Sequence, residues 1–180
     1  MKSNENIFLV GPMGAGKSTI GKRLAQLLTM DLHDSDREIE QRTGADISLI
    51  FELEGEKGFR ARESSMIDEL TRKKNIVLAT GGGVVMRPEN RELLSSRGKV
   101  IYLQTSVEQQ LQRTCYDHKR PLLQTEDPET RLKELMEVRD PLYRETANIT
   151  VNTDGRSVNT VAHEIIKQLG IKPPKTDNKE

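Results

Sequence analysis

The sequence predicts an α/β protein built on a parallel sheet. Short β-branched or apolar runs at residues 7–10, around Leu32, and at 76–79, 100–103 and 149–151 alternate with helical patterns, the order that strands joined by crossover helices produce. The first run leads into a glycine loop and then into a helical stripe of Ile20, Leu24, Leu27 and Leu28, so the opening unit reads strand, loop, helix. The length of 180 residues suits one domain that buries about two-thirds of its unfolded surface without staples.

The later elements carry their own boundary signals. Ser106 followed by Gln109 is a capping-box pattern opening a helix through Leu111. Asp127-Pro128 opens another, with Leu132, Leu135 and Met136 on one face. Asp140-Pro141 reads as its end, because the residue before a proline is pushed out of helical backbone. The last helix carries Val158, Val161, Ile165 and Leu169, and Gly170 stops it. Two stretches look inserted into this framework: residues 36 to about 70, charged and partly helical, and residues 114–127, polar around Lys119-Arg120-Pro121. Both are candidate lids. Residues 171–180, mostly charged or polar with two prolines, are expected to form a disordered tail. There is no internal repeat.

Composition narrows the function classes. Lys plus Arg and Asp plus Glu both number 28, leaving no net field to draw the molecule to nucleic acid or an acidic membrane. Without Trp and with 3% aromatic residues there is no stacking platform for bases. The single Cys115 has no partner within the chain, which fits a reducing compartment. The N-terminal apolar run, 7–10, is too short for a signal-peptide core or a membrane span, so the chain reads as cytoplasmic.

Gly11-Pro12-Met13-Gly14-Ala15-Gly16-Lys17-Ser18 fits G-x-x-x-x-G-K-[ST] in the required place, after an apolar strand and before a helical stripe. Glycines let backbone N–H groups turn inward around phosphates where a Cβ would obstruct them. Lys17 is expected to reach the β- and γ-phosphates and Ser18 to ligate Mg²⁺, with the helix N-terminus aimed at the same anion. Gly14, Ala15, Gly16, Lys17, Ser18 and Thr19 are therefore the candidate ATP-binding residues. The acidic residue that often ends a later strand in such proteins is missing from 76–80, so metal support must come from elsewhere.

Asp34-Ser35-Asp36, at the end of the second strand, is the nearest source. In extended chain residues two apart point the same way, so one carboxylate could support Mg²⁺ while the other orients or deprotonates an acceptor hydroxyl. Asp36 could equally be a helix N-cap. Gly81-Gly82-Gly83 follows the strand at 76–79; it could merely turn the chain, but the carboxyl end of a parallel strand is where ligands bind, and bare backbone there can donate N–H groups. Arg60 and Arg139 each fall on the apolar side of a predicted helix. An inward guanidinium needs an anion, either an acceptor carboxylate clamped between the two or a buried glutamate such as Glu63. Arg120 sits in a polar segment without a core stripe, the position of a lid arginine that closes over transferring phosphate.

Together these motifs resemble the bacterial shikimate kinases from about residue 6 to residue 169. The resemblance rests on the loop from Gly11 through Thr19, Asp34-Ser35-Asp36, Gly58-Phe59-Arg60-x-x-Glu63, Ala79-Thr80-Gly81-Gly82-Gly83, Lys119-Arg120-Pro121-Leu122-Leu123 and Arg139-x-Pro141-Leu142-Tyr143. It implies transfer of the γ-phosphoryl of ATP to the 3-hydroxyl of shikimate, on the route to chorismate and aromatic amino acids, with ATP and Mg²⁺ required. It implies a three-layer P-loop kinase fold with a five-stranded parallel sheet, like that of nucleoside monophosphate kinases. Residues 1–170 would be a single domain with an acceptor-binding insertion at about 34–62 and a lid at about 112–125. By resemblance, catalysis falls to Asp36, Lys17 and Arg120, and metal support to Ser18 and Asp34. The shikimate carboxylate falls to Arg60 and Arg139, backbone contacts to Gly81 and Gly82, the ring walls to Phe51 and Phe59, and flanking ATP contacts to Arg120, Arg113 and Arg156. A monomer acting on small molecules is expected. Two other readings of the motifs remain: a related kinase for another small acceptor such as gluconate or a nucleoside monophosphate, and a nucleotide-sensing module without chemistry.

Overall fold

A computed structural model describes residues 5–115 and 121–174. Its strands are β1 (Asn6–Val10), β2 (Asp31–Asp34), β3 (Ile76–Ala79), β4 (Gly98–Gln104) and β5 (Ile149–Asn152). All pair in parallel, in the order β2-β3-β1-β4-β5. β1 lies in the middle, with Leu9 opposite Ala79 on one side and Ile101 on the other. That place explains its unbroken apolar run, since a central parallel strand is covered on both faces.

Side chains of β1 alternate between two cores. Phe8 and Val10 join Leu78, Val100 and Tyr102 on one face, under α3 (Ile47–Thr71), α4 (Pro88–Arg97) and α6 (Pro128–Thr146). Ile7 and Leu9 join Val77, Ile101 and Leu103 on the other, under α1 (Lys17–Leu28) and α7 (Val158–Gln168). Period two in the strand thus builds three layers. β2 has one neighbour and Leu32 stays partly exposed, which is why its sequence signal is weak. Among the described residues no helix is long and apolar enough to cross a membrane.

The caps follow the side chains predicted for them, with one exception. Ser106 accepts from the Gln109 amide at the start of α5 (Val107–Thr114), and Asp127 accepts from the Thr130 amide at the start of α6. The Ser106 amide, however, donates to Asp154 and not to Gln109, so only half of the capping box forms. Gly170, at φ 65, ends α7 as expected. Ile171 beyond it packs partly on the core, so order extends past the predicted start of the tail; residues 175–180 lie outside those described.

Asp140-Pro141 does not end α6, which runs on through Pro141 to Thr146. A proline inside a helix costs about 3 kcal/mol. Here the extra turn buries Tyr143 completely and stacks its ring on Tyr102 at 4.9 Å, an apolar and aromatic gain of similar size. The inserted stretch folds as α2 (Ser35–Thr43) packed on α3. α3 is broken at Gly55, where φ is 70° and ψ 177°. The predicted lid begins with the buried Thr114 at the end of α5, and its far side is a short 3-10 turn, Pro121–Leu123. Residues 116–120, including Arg120, lie outside those described.

Candidate active site

The carboxyl ends of β1, β2 and β3 deliver the predicted residues to one region. After β1 the loop turns on Gly14 (φ 78) and Gly16 (φ 87), left-handed backbone that a Cβ would strain. The amino end of α1 is thereby brought to the loop. Lys17 Nζ donates to the carbonyls of Gly11 at 2.6 Å and Pro12 at 2.8 Å, which holds the ammonium over the cradle. Ser18 Oγ donates to Asp34 Oδ2 at 2.6 Å.

Asp34 has a second task. Its Oδ1 accepts from the Asp36 and Arg37 amides at 3.1 and 3.3 Å, so Asp34 is the N-cap of α2. The capping alternative for Asp36 is thus corrected: Asp36 lies one residue inside the helix. The two carboxylates converge because chain leaving β2 turns at once into a capped helix, not because they alternate along extended backbone. Both line a cavity of ≈ 300 Å³ with Gly14, Gly16, Lys17, Ser18, Thr19, Thr80, Gly81, Gly82 and Arg113.

A second cavity of ≈ 180 Å³ adjoins it, walled by Phe51, Phe59, Ile47 and Met13 and floored by Gly81, Gly82 and Gly83. Arg60, Arg139, Glu63 and Asp36 give it charge. The phenylalanine rings lie 4.9 Å apart. Arg60 donates to Glu63 at 2.8 Å and to Glu56 at 3.3 Å, so the buried-glutamate alternative holds for this arginine, which also faces the cavity. The Nε atoms of Arg60 and Arg139 are buried and have no hydrogen-bond partner. Two such donors on adjacent cations favour an anion between them.

The electrostatics are consistent with an anion site. Burial, and secondarily the like charge of Arg60, holds the Arg139 guanidinium below its ordinary range. Burial also opposes the charge on Arg60, but Glu63 and Glu56 more than offset it. Burial raises Glu63 against the pull of Arg60, Arg139 and Arg87. Asp36 is pushed up to about 7 by burial first, then by the charges of Glu63 and Asp34, with Lys17 and Arg60 pulling the other way. Its Oδ1 has no hydrogen-bond partner, and neither has Glu63 Oε2. A carboxylate poised near neutral pH beside a phosphate cradle suits proton exchange with a bound hydroxyl.

The other predicted residues divide. Arg113 donates to the Gly14 carbonyl at 2.6 Å, reaching the phosphate loop from α5. Ala15 is buried within that loop. Arg156 instead pairs with Glu164 and donates to the Asn152 carbonyl at 3.0 Å, and it lines neither cavity. The sequence reading gave no role to Met13, Glu40 or Ile47 in the second cavity, nor to Tyr143, whose hydroxyl donates to the Gly82 carbonyl. The signals for Tyr143 were its place in the Arg139-x-Pro141-Leu142-Tyr143 motif and its spacing of four residues from Arg139, on the same helix face.

Comparison with known proteins gives a consistent result. A family model described as shikimate kinase matches residues 13–170. Curated proteins named shikimate kinase include one from Thioalkalivibrio sulfidiphilus, 61% identical over 92% of this chain and 87% of its own length. Another, from Legionella pneumophila, is 62% identical over 91% of this chain and 94% of its own. Among solved structures, the shikimate kinase from Acinetobacter baumannii in complex with shikimate is 53% identical and superposes with a TM-score of 0.92, covering 93% of this chain and 94% of that one. The shikimate kinase from Aquifex aeolicus is 34% identical with a TM-score of 0.81, covering 92% and 96%.

Proposed function

The chain belongs to the shikimate kinase family, and we propose that it transfers the γ-phosphoryl of ATP to the 3-hydroxyl of shikimate, giving shikimate 3-phosphate and ADP. One observation carries this reading: Asp36, Gly81 and Gly82 line both cavities. A phosphoryl group leaving the cradle meets an acceptor hydroxyl where these three residues stand, with the arginines beyond them to hold a carboxylate.

The geometry supports a division of labour. Arg60 and Arg139 take the shikimate carboxylate with guanidinium forks, while Phe51 and Phe59 flank the ring. Gly81 and Gly82 leave room for the acceptor and bring backbone to it. Asp36 receives or orients the proton of the attacking hydroxyl; a loose phosphoryl-transfer transition state needs positioning more than a strong base. Lys17 and the N–H groups of Gly14 through Thr19 gather the phosphates, and Arg113 braces that loop. Arg120 is the proposed lid arginine over the transferring group.

Ser18 and Asp34 would hold Mg²⁺. They offer hard oxygens 2.6 Å apart, the donor type this ion prefers. Among the described residues no cluster of three or more His, Cys, Asp or Glu is arranged to hold a metal, so water and phosphate oxygens would supply the remaining positions. The ion contributes neutralisation of charge on the phosphates.

Residues 34–62 are proposed to form the acceptor-binding insertion and 112–125 the lid of a single domain over 1–170. A coupled assay of ADP release, with shikimate 3-phosphate identified by mass spectrometry, tests the function. Turnover is expected with shikimate and not with gluconate or nucleoside monophosphates; equal turnover of gluconate and shikimate would overturn the assignment.

A further inference from the structure

Tyr143 is fully buried, yet its hydroxyl reaches the acceptor site. It donates to the Gly82 carbonyl, and it lies one helical turn beyond Arg139 on α6, near enough for the guanidinium charge to act on it. A phenol has one proton to donate, and the Gly82 carbonyl takes it. The three groups enclose a small space: a Cβ on Gly82 would stand 3.4 Å from Arg139 Nη1.

The ring that carries this hydroxyl has little freedom. It stacks on Tyr102 at 4.9 Å, and Tyr102 is itself fixed by donating to Asp140 at 2.6 Å. Burial pushes the Tyr143 hydroxyl up to about 12, against the pull of Arg139, so it keeps its proton at neutral pH. A trans peptide sets the Gly82 carbonyl and the Gly83 N–H in opposite directions; pinning one therefore pins the other, within a glycine run that lines the acceptor cavity.

We propose that Tyr143 is a positioning residue for the acceptor: its hydroxyl pins the Gly82 peptide beside Arg139, so that the carboxylate clamp and the backbone meet shikimate at one fixed spacing. The proposal rests on the shikimate reading above. It also explains why α6 continues through Pro141, since the added turn delivers this hydroxyl.

The test compares Tyr143→Phe with Tyr102→Phe in steady-state kinetics with each substrate varied, alongside the melting temperature of each variant. Tyr143→Phe keeps the ring stack and removes only the tie. It is expected to raise KM for shikimate by about tenfold and to leave KM for ATP within about twofold. Tyr102→Phe is expected to lower the melting temperature and leave both KM values within about twofold. Combined with Arg139→Lys, Tyr143→Phe should cost less than the product of the separate effects, because both act on one contact. The proposal is overturned by equal rises in both KM values, by an unchanged shikimate KM, by an additive double variant, or by a Tyr143→Phe chain that does not fold. Failure of the wild-type chain to phosphorylate shikimate would instead overturn the functional reading, so the two failures are distinguishable.

Discussion

Asp36 and Gly81 leave each other no spare room: a Cβ on Gly81 would come within 2.9 Å of Asp36 Oδ1, and equally within 2.9 Å of Glu63 Oε2. Gly81→Ala must therefore displace both carboxylates or tilt the strand end. Its kcat/KM for shikimate is expected to fall by about a hundredfold or more, since small displacements of reacting groups have costs of that size. Nucleotide affinity, measured by calorimetry, should change little. Full activity in Gly81→Ala would show that the fit is looser than the geometry indicates.

Asp36 links chemistry to stability with a definite sign. Its pKa is raised from 3.8 to about 7, so the folded chain keeps a proton there that the unfolded chain gives up. The stability this contributes is complete below about pH 4 and is lost as pH rises to about 7. Asp36→Asn removes the burden of the buried charge. The ligand-free variant is expected to be more stable than wild type at pH 8, by on the order of 2 kcal/mol, with a smaller advantage at pH 5. Its kcat should collapse. Thermal melts at the two pH values decide the first point, and a wild-type rate that rises with pH through about 7 would agree with the ionised form being active.

Arg60 and Arg139 should separate the two substrates. Arg139→Ala removes a charge-assisted contact of about 1.5–3 kcal/mol, so shikimate KM should rise by at least about tenfold while ATP affinity holds. Equal losses for both ligands would mark Arg139 as structural.

Glu63 supports this pair from the interior. Glu63→Ala leaves Arg60 with a buried, poorly compensated charge and is expected to destabilise the chain by about 3–5 kcal/mol. Glu63→Gln keeps a hydrogen-bond acceptor for Arg60 and should cost less. Chemical denaturation of both variants measures the difference; no loss in either variant would argue against the ion pair.

Asp34 combines a cap with a proposed metal contact, and one substitution separates them. Asp34→Asn keeps an oxygen for the Asp36 and Arg37 amides, so the melting temperature should hold. The Mg²⁺ concentration for half-maximal rate should rise by about tenfold or more, because a carboxylate charge is lost. An unchanged Mg²⁺ requirement would remove Asp34 from the metal site.

Much of this architecture was written in local patterns. The five apolar runs, the glycine loop and the caps at Ser106 and Asp127 act over a few residues, and each formed where those residues stand. What escaped depended on distant packing. The passage of α6 through Pro141 needed the Tyr102 ring to receive Tyr143, a partner 41 positions away in sequence. The cap at Asp34 overrode the extended-chain argument because the β2 strand ends at Asp34, two residues before the Asp36 that argument needed in extended chain. Arg60 looked undecided between clamp and ion pair because spacing cannot show that one guanidinium both pairs with Glu63 and faces the cavity.

The break at Gly55 has a kinetic meaning. Phe51 precedes it and Phe59 follows it, so the two aromatic walls of the acceptor cavity sit on separate helical segments joined by one non-helical residue. Backbone amides before residue 55 should exchange with solvent deuterium faster than those beneath Met66 and Ile67, whose segment is anchored in the core. Exchange in that order would mean that the proposed acceptor can enter past a wall that opens at a lower free energy than the segment carrying Arg60.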